Sequence, residues 1–191
     1  MSQGNRLFLV LGGARAGKSA FAQALAEQLG REVVFLATAE AKDEEMARRI
    51  AEHCRRRPAH WRTIEEPLHP APVLPGLSAD VVVLDCLTVL VANLLLEAPE
   101  GEAQAAVEEE VAGLLHAFAV SQATAIVVSN EVGLGVVPPS PLGRAYRDLL
   151  GWANQQFARA ADRVYWMLAG LPMELKASNL AVNWGDTGVA N

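Results

Sequence analysis

The chain has 191 residues, 51% hydrophobic and 20% charged, a balance that suits one globular domain with a sizeable core. Its net charge of −6 argues against a general nucleic-acid binder, which carries a basic excess, so any anion site must be local. Two cysteines, Cys54 and Cys86, make no disulfide scaffold. No leader-like segment precedes the first apolar run and no run is long enough to span a bilayer, so a cytoplasmic protein without a membrane span is expected.

Leu7 to Leu11 reads as a first strand. It empties into Gly12-Gly13-Ala14-Arg15-Ala16-Gly17-Lys18-Ser19, and Ala20 to Ala26 continues as a helix. Strand, Gly-x-x-x-x-Gly-Lys-Ser and helix in that order form a phosphate-binding loop. The glycines let successive backbone N–H groups converge on phosphate oxygens, and the helix adds its unsatisfied N-terminal donors. Lys18 would place a charge between the β- and γ-phosphates, and the Ser19 hydroxyl would hold Mg²⁺. These residues point to a nucleoside triphosphate.

Val33 to Ala37 is a second strand, ending at Thr38. Asp43 to Arg57 reads as a charged amphipathic helix with Asp43 as N-cap and an apolar stripe of Met46, Ile50 and Cys54. The Pro-rich segment Glu66 to Ala79 reads as a surface loop. Val81 to Leu84 is a third strand ending at Asp85, and Glu102 to Val120 a helix. Ala125 to Val128 is a fourth strand ending at Ser129-Asn130-Glu131, followed by a helix from Leu142 to Ala161 and a last strand from Arg163 to Leu168. Residues 1–176 would form a single nucleotide-binding domain, and residues 177–191 a loosely ordered tail.

Continuous β-branched runs mean strands buried on both faces, and the helices between them mean crossovers. The expected fold is α/β, a doubly wound, mostly parallel sheet with helices on both faces, as in P-loop NTPases of the RecA type. Ligands then sit at the carboxyl ends of the strands, where the loop, Thr38, Asp85 and Ser129 to Glu131 fall. A strand-terminal aspartate such as Asp85 often caps a turn. In the same sheet as a phosphate loop, the role of Mg²⁺ ligand beside Ser19 is favoured.

His53 lies one helical turn beyond Arg49 and one before Arg56 and Arg57. Neighbouring arginines disfavour the imidazolium, and a neutral imidazole is a nucleophile. The same arginines would neutralise a triphosphate under attack. Spacing alone favours the plainer reading, a solvated face with Glu45–Arg49 and Glu52–Arg56 pairs. Asn130 and Glu131 would orient an acceptor or a water, or simply form a polar turn. Trp152 and Trp166 have core spacing, and His60, His69 and His116 match no metal-ligand spacing. Arg15 would touch a phosphate or pair with an acidic residue.

An ordered set of motifs shifts the reading of His53. It comprises the loop from Gly12 to Ser19, Leu36-Ala-Thr-Ala39, Asp43 to Ile50, His53, Arg57-Pro58 and Trp61 to Thr63 with Glu65-Glu66-Pro67. Asp85-Cys-Leu-Thr88, Asn93 to Leu95 and Ser129 to Gly133 complete it. Over about residues 6–176 the chain resembles the bifunctional adenosylcobinamide kinase/adenosylcobinamide-phosphate guanylyltransferases of cobalamin biosynthesis. That resemblance implies phosphorylation of the aminopropanol hydroxyl of adenosylcobinamide by ATP or GTP, followed by transfer of GMP from GTP through a guanylylated histidine.

The family's histidine falls on His53, with Lys18 as the other catalytic residue. Its nucleotide contacts fall on Gly12 to Ser19, on Leu36, Ala37 and Thr38, on Cys54, Arg55, Arg56 and Arg57, and on Glu65 and Asp85. The resemblance also implies a homo-oligomer. The position before Gly17, commonly Ser in the family, is Ala16 here, which keeps the backbone N–H. The readings that remain beside this one are a one-step kinase with an incidental His53 and a nucleotide-dependent regulatory switch.

Overall fold

The computed structural model describes residues 6–41 and 44–176, and in the second helix the side chains at 45, 46, 49, 53 and 56 lie outside the described set. Seven strands, β1 (Leu7–Gly12), β2 (Val33–Ala37), β3 (Arg62–Glu65), β4 (Val81–Asp85), β5 (Thr124–Val128), β6 (Arg163–Leu168) and β7 (Leu171–Lys176), form one sheet. Their order is β3-β2-β4-β5-β1-β6-β7. Every neighbouring pair is parallel except β6 and β7. The helices of the described residues are α1 (Lys18–Leu29), α2 (Glu44–Arg56), α3 (Leu87–Glu97), α4 (Ala103–Val120) and α5 (Pro141–Ala160).

Alternation along the central strands divides the core into two layers. Leu7, Leu9, Val34, Leu36, Val82, Leu84 and Val127 face one side, under α3, α4 and α5. Phe8, Val10, Phe35, Val81, Val83, Ile126 and Val128 face the other, where Ala22 and Ala26 let α1 lie close. Both faces are covered, which is why these strands read as unbroken apolar runs. The doubly wound α/β expectation holds.

Four elements, the 3₁₀ helix, α3, β3 and β7, were not expected from the sequence. The segment read as a surface loop contains a 3₁₀ helix at Ala71–Gly76, and its Leu74 is buried against the core. Of the apolar stripe on α2, Cys54 is exposed and Ile50 half-buried, and no described side chain of that helix is buried. The run from Leu87 to Leu96 forms α3, apolar nearly all round because it lies between the sheet and α4. The strands β3 and β7 were also missed. Arg62–Glu65 is a short, mostly exposed edge carrying charge, while β7 returns antiparallel after a two-residue turn at Ala169 and Gly170, both at positive φ. Asp43 and the tail 177–191 lie outside the described residues.

One buried amide fixes the layers at the site. Asn93 of α3 donates through Nδ2 to the carbonyl of Thr38 at 2.9 Å and to that of Pro67 at 3.0 Å. It therefore ties the end of β2 to the segment that follows β3. We expect Asn93→Leu, close in volume but without donors, to destabilise the protein by about 1–3 kcal/mol, because two carbonyls lose their partner. Urea denaturation checks this, and an unchanged midpoint would show that the two carbonyls find other donors.

Candidate nucleotide and phosphoryl-transfer site

The register of the parallel strands sets the geometry. Ala37 lies opposite both Glu65 and Asp85, Asp85 lies opposite Val128, and Val10 lies opposite Val128 on the other side. The carboxyl ends of β3, β2, β4, β5 and β1 thus form one edge. On it the structure brings together Gly12 to Ser19, Ala37, Thr38, Glu65, Asp85 and Ser129 to Glu131.

The loop is shaped by its backbone. Gly12 has φ 151° and Gly17 φ 94°, and Arg15 also adopts a left-handed conformation at φ 57°. A Cβ at Gly12 would stand 2.5 Å from the carbonyl oxygen of Met167, so this position excludes every side chain. The tip of the β6–β7 hairpin braces the loop, because Gly170 N donates to Ala16 O at 3.1 Å. Ala16, the departure from the family pattern, therefore contributes its carbonyl to this contact. Lys18 is buried at the start of α1 and arches back to donate to Gly13 O at 2.6 Å. Burial lowers its pKa, while Cys86 and the negative charge of Asp85 oppose that shift.

Thr38 is fully buried. Its hydroxyl donates to the Cys86 carbonyl at 2.8 Å and accepts from the Cys86 amide at 2.9 Å. The peptide link beyond Asp85 is thereby clamped to the end of β2. Leu36 is likewise fully buried, with its side chain in the core, so only its backbone faces the edge. Arg57, just past α2, lays its guanidinium on the Phe35 ring at 3.4 Å and donates to Thr63 Oγ1 at 3.3 Å. Burial lowers its pKa, against Cys54, Asp85 and Glu65, whose influence holds its charge in place.

Cys54 and Arg55 are exposed on α2; His53 and Arg56 belong to the same helix, with side chains outside the described set. Ser19 and Asp85 supply the hydroxyl and carboxylate oxygens that a hard divalent cation uses. Among the described residues, no group of three or more His, Cys, Asp or Glu is gathered as a metal site.

Past β5, the Asn130 amide donates to Thr88 Oγ1 at 2.7 Å, and Asn154 donates to the Asn130 carbonyl at 3.0 Å. Glu131 N donates to Gly12 O at 3.3 Å, which holds this strand end against the loop. A cleft of about 430 Å³ opens there, between Gly13 to Ala16 on one side and Glu131, Leu134 and Trp166 on the other.

Comparison with known proteins places the chain in a family. Residues 8–175 match the family described as cobinamide kinase / cobinamide phosphate guanyltransferase. The chain belongs to this family. It is 47% identical to the bifunctional adenosylcobalamin biosynthesis protein CobP of Pseudomonas aeruginosa, over 90% of this chain and 98% of that protein. It is 40% identical to the protein CobU of Escherichia coli, described in the same words, over 89% of this chain and 99% of the relative. Among solved structures, an ATPase domain shares the fold, with a TM-score of 0.51, 13% identity, and coverage of 85% of this chain and 69% of that one. Within this cobinamide kinase family fold, no helix of the described residues is long and apolar enough to cross a membrane.

Sequence reasoning gave no role to Asn93, Thr88, Met167 or Gly170, the residues that hold the family's loop and strand ends. Asn93 and Thr88 stood in the recognised motifs, so the signal was present. Their function became visible only with their partners.

Two expectations follow from this geometry. Thr38→Val should cost about 1–3 kcal/mol and weaken nucleotide binding, while Thr38→Ser, which keeps the hydroxyl, stays within about 1 kcal/mol of wild type. Thermal melts and a fluorescent nucleotide titration check both, and equal behaviour of the two variants would dismiss the clamp. The Cys86 thiol is pushed up to about 12 by burial and by Asp85. Thiolate is the reactive form, so below that pH Cys86 stays inert. Iodoacetamide at pH 8 should label the exposed Cys54 in native protein and reach Cys86 only after unfolding, as read by peptide mass spectrometry.

Proposed function

We propose that this cobinamide kinase/guanylyltransferase works in two steps at the edge just described. In the first, the aminopropanol hydroxyl of adenosylcobinamide takes the γ-phosphoryl group of ATP or GTP. In the second, a His53 ring nitrogen attacks the α-phosphorus of GTP. A P–N bond forms, the bond between the α-phosphorus and its bridging oxygen breaks, and pyrophosphate leaves. A phosphate oxygen of the phosphorylated corrinoid then attacks the same phosphorus, displaces His53 and yields adenosyl-GDP-cobinamide.

The observation that carries this reading is the convergence of Lys18, Asp85 and Arg57. Lys18 and Arg57 are both desolvated and both feel the Asp85 carboxylate. Positive groups held out of water stabilise charge on a transferring phosphoryl group far more than solvated ones do. Arg57 follows directly on the helix that carries His53, so the stacked guanidinium anchors that helix beside the edge.

Ser19 and Asp85 fit Mg²⁺ by the chemistry of their oxygens, and the ion, when bound with nucleotide, neutralises phosphate charge. The chain's own groups do the rest. Loop amides and Lys18 orient the phosphates, and the arginines that flank His53 in the sequence neutralise charge on a triphosphate under attack. The exposed apolar residues of the edge strand β7, Leu171, Met173 and Leu175, support self-association, and we place the enzyme in the cytoplasm.

GTP labelled at the α-phosphate tests the covalent step. Wild-type protein with Mg²⁺ should take up acid-labile, alkali-stable label, and His53→Ala should take up none. Label persisting in the variant would remove His53 as nucleophile. No label in either, with cobinamide still phosphorylated, would leave the one-step kinase.

A further inference from the structure

The cleft beside the phosphate loop is not used by any residue assigned so far. Part of its lining is the loop itself, Gly13 to Ala16, so whatever occupies it touches the loop that the phosphates would use. Its other walls are apolar and open. Leu134 and Leu168 are 80% and 58% exposed, and Trp166 is half-buried between the core and the opening. Large aliphatic groups left this bare around a phosphate loop suit a ligand with a sizeable apolar body.

One carboxylate lies in that wall. Glu131 follows β5, the strand next to the loop strand β1, and its amide is bonded to Gly12 O. Its Oε1 accepts from the Gly133 amide at 2.5 Å, which fixes the side chain in a tight turn. Among the described residues, Oε2 has no hydrogen-bond partner. The turn is secured from behind by Thr88, which accepts from the Asn130 amide, and by Asn154, which holds the Asn130 carbonyl. So much bracing for an acidic side chain at the mouth of an apolar cleft needs a use beyond a solvated turn.

Resting on the kinase reading above, we propose that this cleft is the acceptor subsite and that Glu131 is the general base of phosphoryl transfer. The occupant is the acceptor alcohol, a bulky macrocycle with apolar surface beside its polar groups and a hydroxyl-bearing arm. Its apolar face lies on Leu134, Trp166 and Leu168, and its arm reaches toward the γ-phosphate past Glu131. In the step, the acceptor oxygen forms a bond to the γ-phosphorus, and the bond from that phosphorus to the β,γ-bridging oxygen breaks. The electron pair leaves on the nucleoside diphosphate, and the hydroxyl proton passes to Glu131 Oε2. A positioned base of this kind contributes about 10²- to 10⁴-fold.

The test uses the full chain, γ-labelled ATP and cobinamide. Glu131→Gln keeps an acceptor for the Gly133 amide, so folding is preserved while the base is lost. It should lower kcat for cobinamide phosphorylation at least about 10²-fold, with KM for nucleotide within a few-fold, since general bases act on the transition state. Self-labelling from α-labelled GTP should be unchanged, and Glu131→Asp should recover part of the rate. Leu134→Asn should raise KM for cobinamide several-fold with little change in kcat. Wild-type kcat in Glu131→Gln, or parallel loss of self-labelling and nucleotide affinity, would overturn the assignment. Wild-type protein that leaves cobinamide unphosphorylated would overturn the kinase reading, and this inference with it.

Discussion

Everything at the carboxyl edge depends on how closely β1 and β6 run together at Gly12. The Met167 carbonyl occupies the space a Cβ would need, and the chain passes this point at a φ that L side chains rarely adopt. Only glycine satisfies both conditions. The consequence is mechanical: the loop leaves β1 at a fixed angle and is pinned on its far side by Gly170, so its course is set before any ligand arrives. Preorganisation of that kind is what makes a backbone cradle effective toward phosphate.

The charges are arranged to suit such a cradle. A chain with net charge −6 places Lys18, buried, and Arg57, half-buried, at one edge. Burial costs each cation some of its hydration, and Asp85 offsets that cost between them. Thr38 holds the link after Asp85 through two short hydrogen bonds, and Asn93 holds Thr38 in turn. The backbone just past Asp85 is therefore set by a chain of buried bonds from α3. Stability and function share residues here, which is why the braces lie under the site and not within it.

How much of this was legible follows from what each residue must do locally. The loop, the central strands and Asp85 could be read because their requirements are local: glycines for positive φ, apolar runs for double burial, a carboxylate at a strand end. The edge strands were opaque for the opposite reason. Arg62–Glu65 pairs on one side only and carries charge outward, so nothing in its composition demands a strand. The strand β7 did leave a signal, Leu171, Met173 and Leu175 alternating after Ala169-Gly170, but so short a run does not stand out as a strand without its pairing partner β6. The roles of Thr38 and Asn93 were hidden because they depend on partners 48 and 55 residues away. His53 was singled out by its arginines and by a family resemblance, two arguments that need no coordinates.

Topology also says how two transfers could share one triphosphate. The helix α2 lies between β2 and β3 in the chain, on the far side of Asp85 from β1. The apolar cleft lies past β5, β1 and β6, on the other flank of the loop. With Glu131 as base and His53 as nucleophile, the acceptor hydroxyl comes from the β6 side and the histidine from the β2 side. The two nucleophiles then need not displace one another. What must change between steps is which phosphorus each meets in line, since attack at the γ- and α-positions demands different alignments. Among the described side chains of α2 none is buried, and Arg57 on Phe35 holds the chain just past its end, so this helix has little buried surface to lose in meeting that demand. The sheet, buried on both faces, supplies the fixed half of such a site, and on the proposed role of His53 the adjustment falls to α2.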